Sequence, residues 1–311
     1  MAVAATATFE QIVPPTDPTD LGFLSGGFVG QGRKYQMVPT GGRAAWRVRF
    51  SGGTVRVTSK DPNIAALGDG FAKPLPRNLL TLNSATGSFS DFFILAGQNA
   101  GRTVIVAEDA RAQNLDTLTV SVKTLSHKTF MAHRLLNRVA RTDRTDDELA
   151  DIFRKMKNAY RFQANVLLDQ VGKVNELRTA NDYTNPINFD EVRQIKGQGP
   201  TDFNDDVVKE LNRKNLFGMT DFHLVSVCQM HGKLGVTPAF KNVCYVAHTF
   251  TKPNFTNEAT TFAHELGHAF GLTHDPGHDF KDMMVAGNVT GAQNSFIMTD
   301  ADIDRINPSG T

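Results

Sequence analysis

Residues 261–275 read TFAHELGHAFGLTHD, and this stretch decides the fold and chemistry of the second part of the chain. His264 and His268 stand four residues apart, so on a helix they lie on one face, one turn apart, and both imidazoles can reach a single ion. Glu265 lies about 100° further around the helix, where it can meet a water beside the metal without binding the metal itself. We therefore predict an active-site helix that carries two metal ligands and a general base.

The end of this helix is predicted at Gly271, because glycine readily takes the left-handed conformation that turns a chain at a helix C-terminus. His274 follows three residues later and can return to the metal as the third ligand. No glutamate follows Glu265 in the sequence, so a downstream glutamate cannot supply that ligand. Three histidines leave one position of a tetrahedral zinc ion open for water, as in catalytic rather than structural zinc sites.

The complete pattern H-E-x-x-H-x-x-G-x-x-H resembles the signature of the metzincin zinc metallopeptidases. The resemblance implies one catalytic Zn2+ that activates water, Glu265 as the general base for peptide-bond hydrolysis, and a protein or peptide substrate. It also implies a Met-containing turn beneath the metal, which we assign to Met284, with Met283 as the alternative. Asp275 is similar to the structural aspartate of the adamalysin-like pattern. The tyrosine that some metzincins carry two residues after the turn methionine is replaced here by Ala286.

The same resemblance implies how a substrate would lie in the cleft. An extended peptide would pair with an edge strand just upstream of the active-site helix, expected within residues 235–241. Residues 285–287, which follow the turn methionine, would line part of the pocket beyond the scissile bond.

The chain around the motif alternates between helical and strand patterns. Residues 145–148 form a capping box, and the apolar residues that follow it recur at helical spacing, namely Leu149, Ile152, Phe153, Met156 and Tyr160. Strands are predicted at 165–171, 221–228 and 243–248, together with a second helix capped by Thr201 or Asp202. The resemblance to metzincins also implies a C-terminal helix at 299–306. This order predicts an α/β metzincin domain over residues 126–311, with a twisted mixed, mostly parallel sheet and a short C-terminal subdomain.

The first part of the chain has a different pattern of apolar residues. Short alternating apolar runs separated by turn residues predict an antiparallel β-sandwich over 25–125, and the patterning resembles bacterial Ig-like domains. Residues 1–24, with three prolines, are predicted to be a flexible or extended lead. All nine histidines lie at or after His127. We therefore expect this first part of the chain to have a binding or positioning role and no catalytic role.

Composition excludes several classes of protein. With 40% hydrophobic residues the 311-residue chain can fill ordinary cores, and its net charge of +1 gives no field that would recruit nucleic acid. No apolar run is long enough to span a membrane. Cys228 and Cys244 are too few for a disulfide framework; they form one bridge or remain two buried thiols.

The N-terminus lacks the basic and apolar regions of a secretory signal. We expect either that a signal has been removed or that export takes an unconventional route. The chain would then act outside the producing cell, as a secreted enzyme or as an injected effector or toxin. Its Ig-like domain would contact a surface or the delivery machinery.

A second class of protein fits the same sequence: an adhesive or binding protein whose metzincin-like domain is inactive. Glu265 favours the active enzyme, because a degenerate peptidase usually loses its general base before its metal ligands.

Overall fold

The computed structural model describes residues 4–11, 34–69, 73–194, 200–238, 242–248, 255–274, 283–284 and 298–310. They form two compact units. The first contains described residues of 1–126, 161–166 and 297–311, and the second those of 127–160 and 167–296. The serial division at residue 126 stays a prediction, since two later segments group with the N-terminal strands.

The first unit is a mixed sheet of seven strands. These are β1 (Thr6–Gln11), β2 (Tyr35–Pro39), β3 (Arg43–Ser59), β4 (Ala65–Gly68), β5 (Leu79–Gly97), β6 (Gly101–Asp109) and β7 (Asn114–Lys123). Their order is β2-β7-β6-β3-β5-β4, with β1 on β3. The β2–β7 pair is parallel, and the other pairs are antiparallel as predicted. Because all seven strands are linked by hydrogen bonds, the two-sheet Ig-like sandwich stays a prediction.

Strand β3 makes the sheet change partners along its length. Its first half pairs with β1 and its second half with β6, while β5 pairs with both halves. The register shifts between Ser51 and Gly53, where Gly52 and Gly53 have φ of +74° and +121°. A bulge of this kind bends a strand, so one long strand can border a core lined by Trp46, Phe93 and Leu95.

The expectation of a flexible lead over residues 1–24 is wrong for Thr6–Gln11, which is strand β1. Its alternation places Ala7 and Phe9 in the core, and the prolines begin only after the strand. Residues 12–24 lie outside the described residues.

The second unit holds a mixed sheet with helices. The elements that lie wholly or mainly in this unit are β8 (Ser126–Leu135), α1 (Asp146–Ala164), β9 (Val166–Gln170), β10 (Asn175–Leu177), β11 (Arg193–Gln194), β12 (Pro200–Thr201), α2 (Phe203–Arg213), β13 (Phe222–Val227), β14 (Gly235–Val236), β15 (Val243–Ala247) and α3 (Phe255–Ala269). The main sheet has the order β10-β8-β13-β15-β14, and β9 also pairs with β8. Strands β10, β8, β13 and β15 are parallel, whereas β14 is antiparallel to β15. The mostly parallel sheet predicted from the sequence is confirmed, although β8 was not predicted.

Helix α1 buries the apolar residues whose spacing predicted it, from Leu149 to Tyr160. Helix α2 begins at Asp202, whose side chain accepts a hydrogen bond from the Asp205 amide. None of the helices among the described residues is long and apolar enough to cross a membrane. Cys228 and Cys244 are buried, unbridged thiols.

The C-terminal helix α4 (Asp300–Ile306) begins with a capping box on Thr299. It groups with the first unit, not with a C-terminal subdomain of the second. Asp304 explains this, because its carboxylate lies 2.7 Å from the fully buried Lys123 ammonium at the end of β7 and 2.7 Å from Arg102 on β6.

Two buried histidines lie on adjacent strands of the second unit. His133 Nε2 and His223 Nδ1 are 3.0 Å apart, which is a hydrogen bond between rings. Burial lowers the pKa of His133 to about 3 and that of His223 to about 4. Both rings are therefore neutral at physiological pH.

Candidate metal centre and catalytic cleft

Helix α3 carries His264, Glu265 and His268, and two contacts hold it in the second unit. The Tyr160 hydroxyl on α1 donates a 2.7 Å hydrogen bond to the Ala263 carbonyl. Near the start of α3, the buried Glu258 carboxylate accepts two hydrogen bonds from the Arg144 guanidinium, one of them 3.0 Å from Nε to Oε2. Both contacts fix the helix close to the histidines.

The end of α3 has the geometry of a Schellman motif. The Leu272 amide donates to the Gly267 carbonyl at 3.0 Å, and the Gly271 amide donates to the His268 carbonyl at 2.9 Å. Gly271 has φ of +90°, a conformation that side chains disfavour. The chain turns sharply here, and His274 comes back beside the helix.

The structure brings the three histidines of the motif together. The Nε2 atoms of His264, His268 and His274 lie 3.0, 3.1 and 3.2 Å from one another. Nitrogens bound at 2.0–2.1 Å around a tetrahedral ion would lie about 3.3 Å apart, so this spacing fits a zinc ion. The three rings form a candidate metal site of the described residues.

The Nδ1 atoms of His264 and His268 are oriented by main-chain carbonyls. His264 Nδ1 lies 2.6 Å from the Met283 carbonyl oxygen, and His268 Nδ1 lies 2.9 Å from that of Leu272. Because a carbonyl only accepts, each Nδ1 must be the donor, which leaves each Nε2 lone pair for a metal. Burial lowers the pKa of His264 to about 4 and also lowers that of His274, so both rings are in the neutral form that a metal needs.

Met284 is fully buried beneath the helix. A Cβ atom at Gly267 would lie 2.6 Å from the Met284 sulfur, so the thioether occupies the space that a side chain at Gly267 would need. Met283 contributes its carbonyl to His264, as described above, and its side chain is also buried. The two methionines thus have different parts: Met284 packs on the helix, and Met283 orients a ring.

The Glu265 carboxylate is 5% exposed and lies between α3 and the segment that contains β14. The Thr237 hydroxyl lies 2.9 Å from Glu265 Oε2 and 2.8 Å from the Glu265 carbonyl oxygen. Burial raises the pKa of Glu265 to about 7, while the hydrogen bond from Thr237 opposes that rise. On the other side, a Cβ atom at Gly235 would lie 2.5 Å from Oε1, so only glycine leaves room for this carboxylate.

The three histidines and Glu265 open into a cleft of about 330 Å3. Strand β14 ends the order of the main sheet and forms one wall of this cleft. The lining residues are Gly232, Lys233, Leu234, Gly235, Val236, Thr237, Thr261, His264, Glu265, His268 and His274. A short edge strand beside a candidate metal site offers main-chain groups to an extended peptide.

Some site predictions lie outside the described residues. These are the structural role of Asp275 and the pocket formed by residues 285–287. Gly235 and Thr237 were expected only as part of an edge strand, and their contacts with Glu265 were missed, as was the contact between Gly267 and Met284. The one available signal was Gly267, a residue without a side chain inside the helical motif.

Comparison with known proteins gives a family for the second part of the chain. Residues 142–308, more than half of the chain, match the Metallo-peptidase family M12B Reprolysin-like. No curated protein sequence matches the chain significantly.

Three solved structures share limited similarity. Domains 4 and 5 of the S-layer protein SbsC are 20% identical over 28% of this chain, which spans 40% of that structure, with a TM-score of 0.20. WR4, a C. elegans MSP family member, is 12% identical over 28% of this chain and 89% of its own, with a TM-score of 0.19. A family 123 glycoside hydrolase from Clostridium perfringens is 9% identical over 84% of this chain and 55% of its own, with a TM-score of 0.22. TM-scores this low carry no argument, so the assignment depends on the family match: the chain belongs to the reprolysin-like M12B metallo-peptidases.

Proposed function

We propose that this protein is a zinc-dependent endopeptidase in which His264, His268 and His274 hold one catalytic Zn2+ and Glu265 is the general base. The observation that carries the proposal is the convergence of three Nε2 atoms, 3.0 to 3.2 Å apart, beside a buried carboxylate in one cleft. Membership of a zinc-dependent peptidase family supports the same chemistry.

Each residue has a defined part in hydrolysis. When bound, zinc would supply Lewis acidity toward water and the scissile carbonyl. Glu265 would take a proton from the attacking water and give it to the leaving amine, which needs a carboxylate near the metal that is not itself a ligand. His264 and His268 keep their Nε2 atoms directed at the metal because the Met283 and Leu272 carbonyls hold their Nδ1–H groups. We assign the Met-turn role to Met284 and the helix-ending role to Gly271.

The substrate is proposed to be a protein or an extended peptide. Its main chain would pair with β14, which lines the cleft and ends the order of the sheet. Main-chain pairing gives affinity for peptides of many sequences, and the side-chain pockets give selectivity.

The first unit is proposed to be an Ig-like accessory domain that binds or positions. Its described residues contain no histidine or cysteine, so it offers neither imidazole nor thiolate ligands for a catalytic metal. We propose that the protein works outside the producing cell, as a secreted or injected enzyme, with this domain contacting a surface or the delivery machinery.

The test is zinc content and hydrolysis of casein or a quenched peptide by the full chain, its Glu265→Ala variant and its His268→Ala variant. We expect one zinc per chain in wild type and Glu265→Ala, activity only in wild type, and loss of both properties in His268→Ala. Equal hydrolysis by wild type and Glu265→Ala would refute the catalytic assignment. Zinc binding without hydrolysis by the wild type would favour the alternative, a binding protein with an inactive peptidase domain.

A further inference from the structure

Thr237 lies just after strand β14, and its hydroxyl meets the Glu265 carboxylate of the candidate active site. We propose that Thr237 is a positioning residue for Glu265, an inference that rests on the function proposed above. Thr237 does not touch the reacting atoms; it acts through the general base.

The contact is made to two parts of the same residue. The Thr237 hydroxyl oxygen lies 2.9 Å from Glu265 Oε2 and 2.8 Å from the Glu265 main-chain oxygen. A threonine hydroxyl has one proton, so these two acceptors compete for it. An ionised carboxylate wins this competition, because hydrogen bonds to charged acceptors are roughly twice as strong as those between neutral groups. The hydroxyl thus donates to Oε2 and holds the carboxylate against the Thr237 side chain.

Gly235 closes the opposite side of the carboxylate. A Cβ at this position would lie 2.5 Å from Oε1 and 2.6 Å from Cγ of Glu265, so the side chain already lies against the backbone of β14. Thr237 contacts Oε2 and the backbone at Gly235 lies against Oε1, so these two contacts select one orientation of the carboxylate against this wall of the cleft. Without the hydroxyl, one of the two contacts that select this arrangement is lost.

The location of the contact adds a functional consequence. Residues 235–237 form one continuous segment of the cleft wall, and the proposed substrate pairs with the same segment. The strand that would fix the peptide therefore also fixes the base. The distance between Glu265 and the scissile bond would then be set within residues 235–237, and no other element would need to move.

A positioning role predicts a particular kinetic change. Loss of a hydrogen bond to a charged group corresponds to about a tenfold to hundredfold effect. Because the peptide would still pair with the main chain of β14, the change should fall on kcat and leave KM within about twofold.

The test compares Thr237→Val with Thr237→Ser in the full-length, zinc-loaded protein on one quenched peptide. Valine keeps the shape and removes the hydroxyl, whereas serine keeps the hydroxyl and removes a methyl group. We expect kcat to fall about tenfold to hundredfold in Thr237→Val and to return within about threefold of wild type in Thr237→Ser, with zinc content unchanged in both. Thr220→Val is the matched control: that hydroxyl donates to the Phe222 carbonyl at 2.7 Å, outside the cleft lining, and its loss should leave kcat unchanged.

Three outcomes would overturn the inference while leaving the proposed function intact. They are wild-type kcat in Thr237→Val, a change confined to KM, and a Thr237→Ser variant as slow as Thr237→Val. A zinc-loaded wild type without hydrolytic activity would instead refute the proposed function, and the inference with it.

Discussion

Gly235→Ala adds one methyl group to the strand that borders Glu265, the proposed general base, and its effect can be worked out from distances. The new Cβ would lie 2.5 Å from Glu265 Oε1, 2.6 Å from Cγ and 2.8 Å from Cδ. Ordinary contacts between carbon atoms are about 3.5 to 4.0 Å, so the carboxylate must move by about 1 Å. It cannot relax without loss, because it is buried and Thr237 holds its other oxygen.

A displacement of about 1 Å at a catalytic group costs about 10²-fold in rate. Since each factor of ten corresponds to about 1.36 kcal/mol, the expected loss in kcat is about 2.7 kcal/mol of transition-state stabilisation. The backbone at Gly235 does not have positive φ, so alanine introduces no strain of its own. The loss therefore reports the contact with Glu265.

The assay is kcat and KM on a quenched peptide, with zinc content and the melting temperature measured on the same samples. Gly172→Ala is the control, because Gly172 has φ of +73° and nothing lies within 4 Å of its missing Cβ. That variant should lose about 1 to 2 kcal/mol of stability from left-handed strain and keep its kcat. Wild-type kcat in a folded, zinc-loaded Gly235→Ala protein would show that the contact does not constrain the base.

Three further predictions concern stability and metal binding. Burial lowers the pKa of His133 to about 3, so below pH 6.5 the unfolded chain binds more protons than the folded chain, and the free energy of unfolding should fall with acidification. In urea titrations between pH 7 and pH 5, His133→Gln should reduce that fall by about 2 kcal/mol. An unchanged pH slope would contradict this. Arg144→Met removes the partner of the buried Glu258 and should cost about 3 to 5 kcal/mol in chemical denaturation, against less than about 1 kcal/mol for Arg154→Met in an exposed pair; equal losses would refute the burial argument. Chelation of zinc should abolish hydrolysis and lower the melting temperature. Added zinc at about 100 times its Kd should restore about 2.7 kcal/mol of folding stability, in Glu265→Ala as well as in wild type, as followed by thermal scanning. A melting temperature indifferent to zinc would contradict the assignment of the ligands.

Residues that are close in the sequence allowed the most reliable predictions. The spacing of His264 and His268 follows from the helical repeat, and the apolar residues of α1 lie on one buried face for the same reason. Helix α4, which the family resemblance implied at 299–306, lies at Asp300–Ile306, and its Thr299 capping box joins residues three apart. Such features survive without any knowledge of the rest of the fold.

Residues that are far apart in the sequence show where sequence reasoning failed. Strand β8 (Ser126–Leu135) lies between β10 and β13, and four consecutive residues of it are buried, so its sequence lacks the alternation by which strands are recognised. Strand β1 was assigned to a flexible lead because three prolines follow it closely. Helix α4 groups with the N-terminal strands through Asp304, a contact with Lys123 that no local pattern indicates.

The candidate site divides in the same way. The sequence by itself determined the spacing of the histidine motif, the position of the proposed general base Glu265 and the turn that follows the helix, because each depends on a few neighbouring residues. Only the tertiary structure decided what surrounds them: Thr237 and Gly235 against Glu265, and the Met283 carbonyl on His264. Thr237 and Glu265 are 28 residues apart, and their contact exists only because β14 ends the sheet beside α3. The physical reason is that the helical repeat sets which side chains share a face, whereas the position of a strand beside that face depends on how the whole core packs.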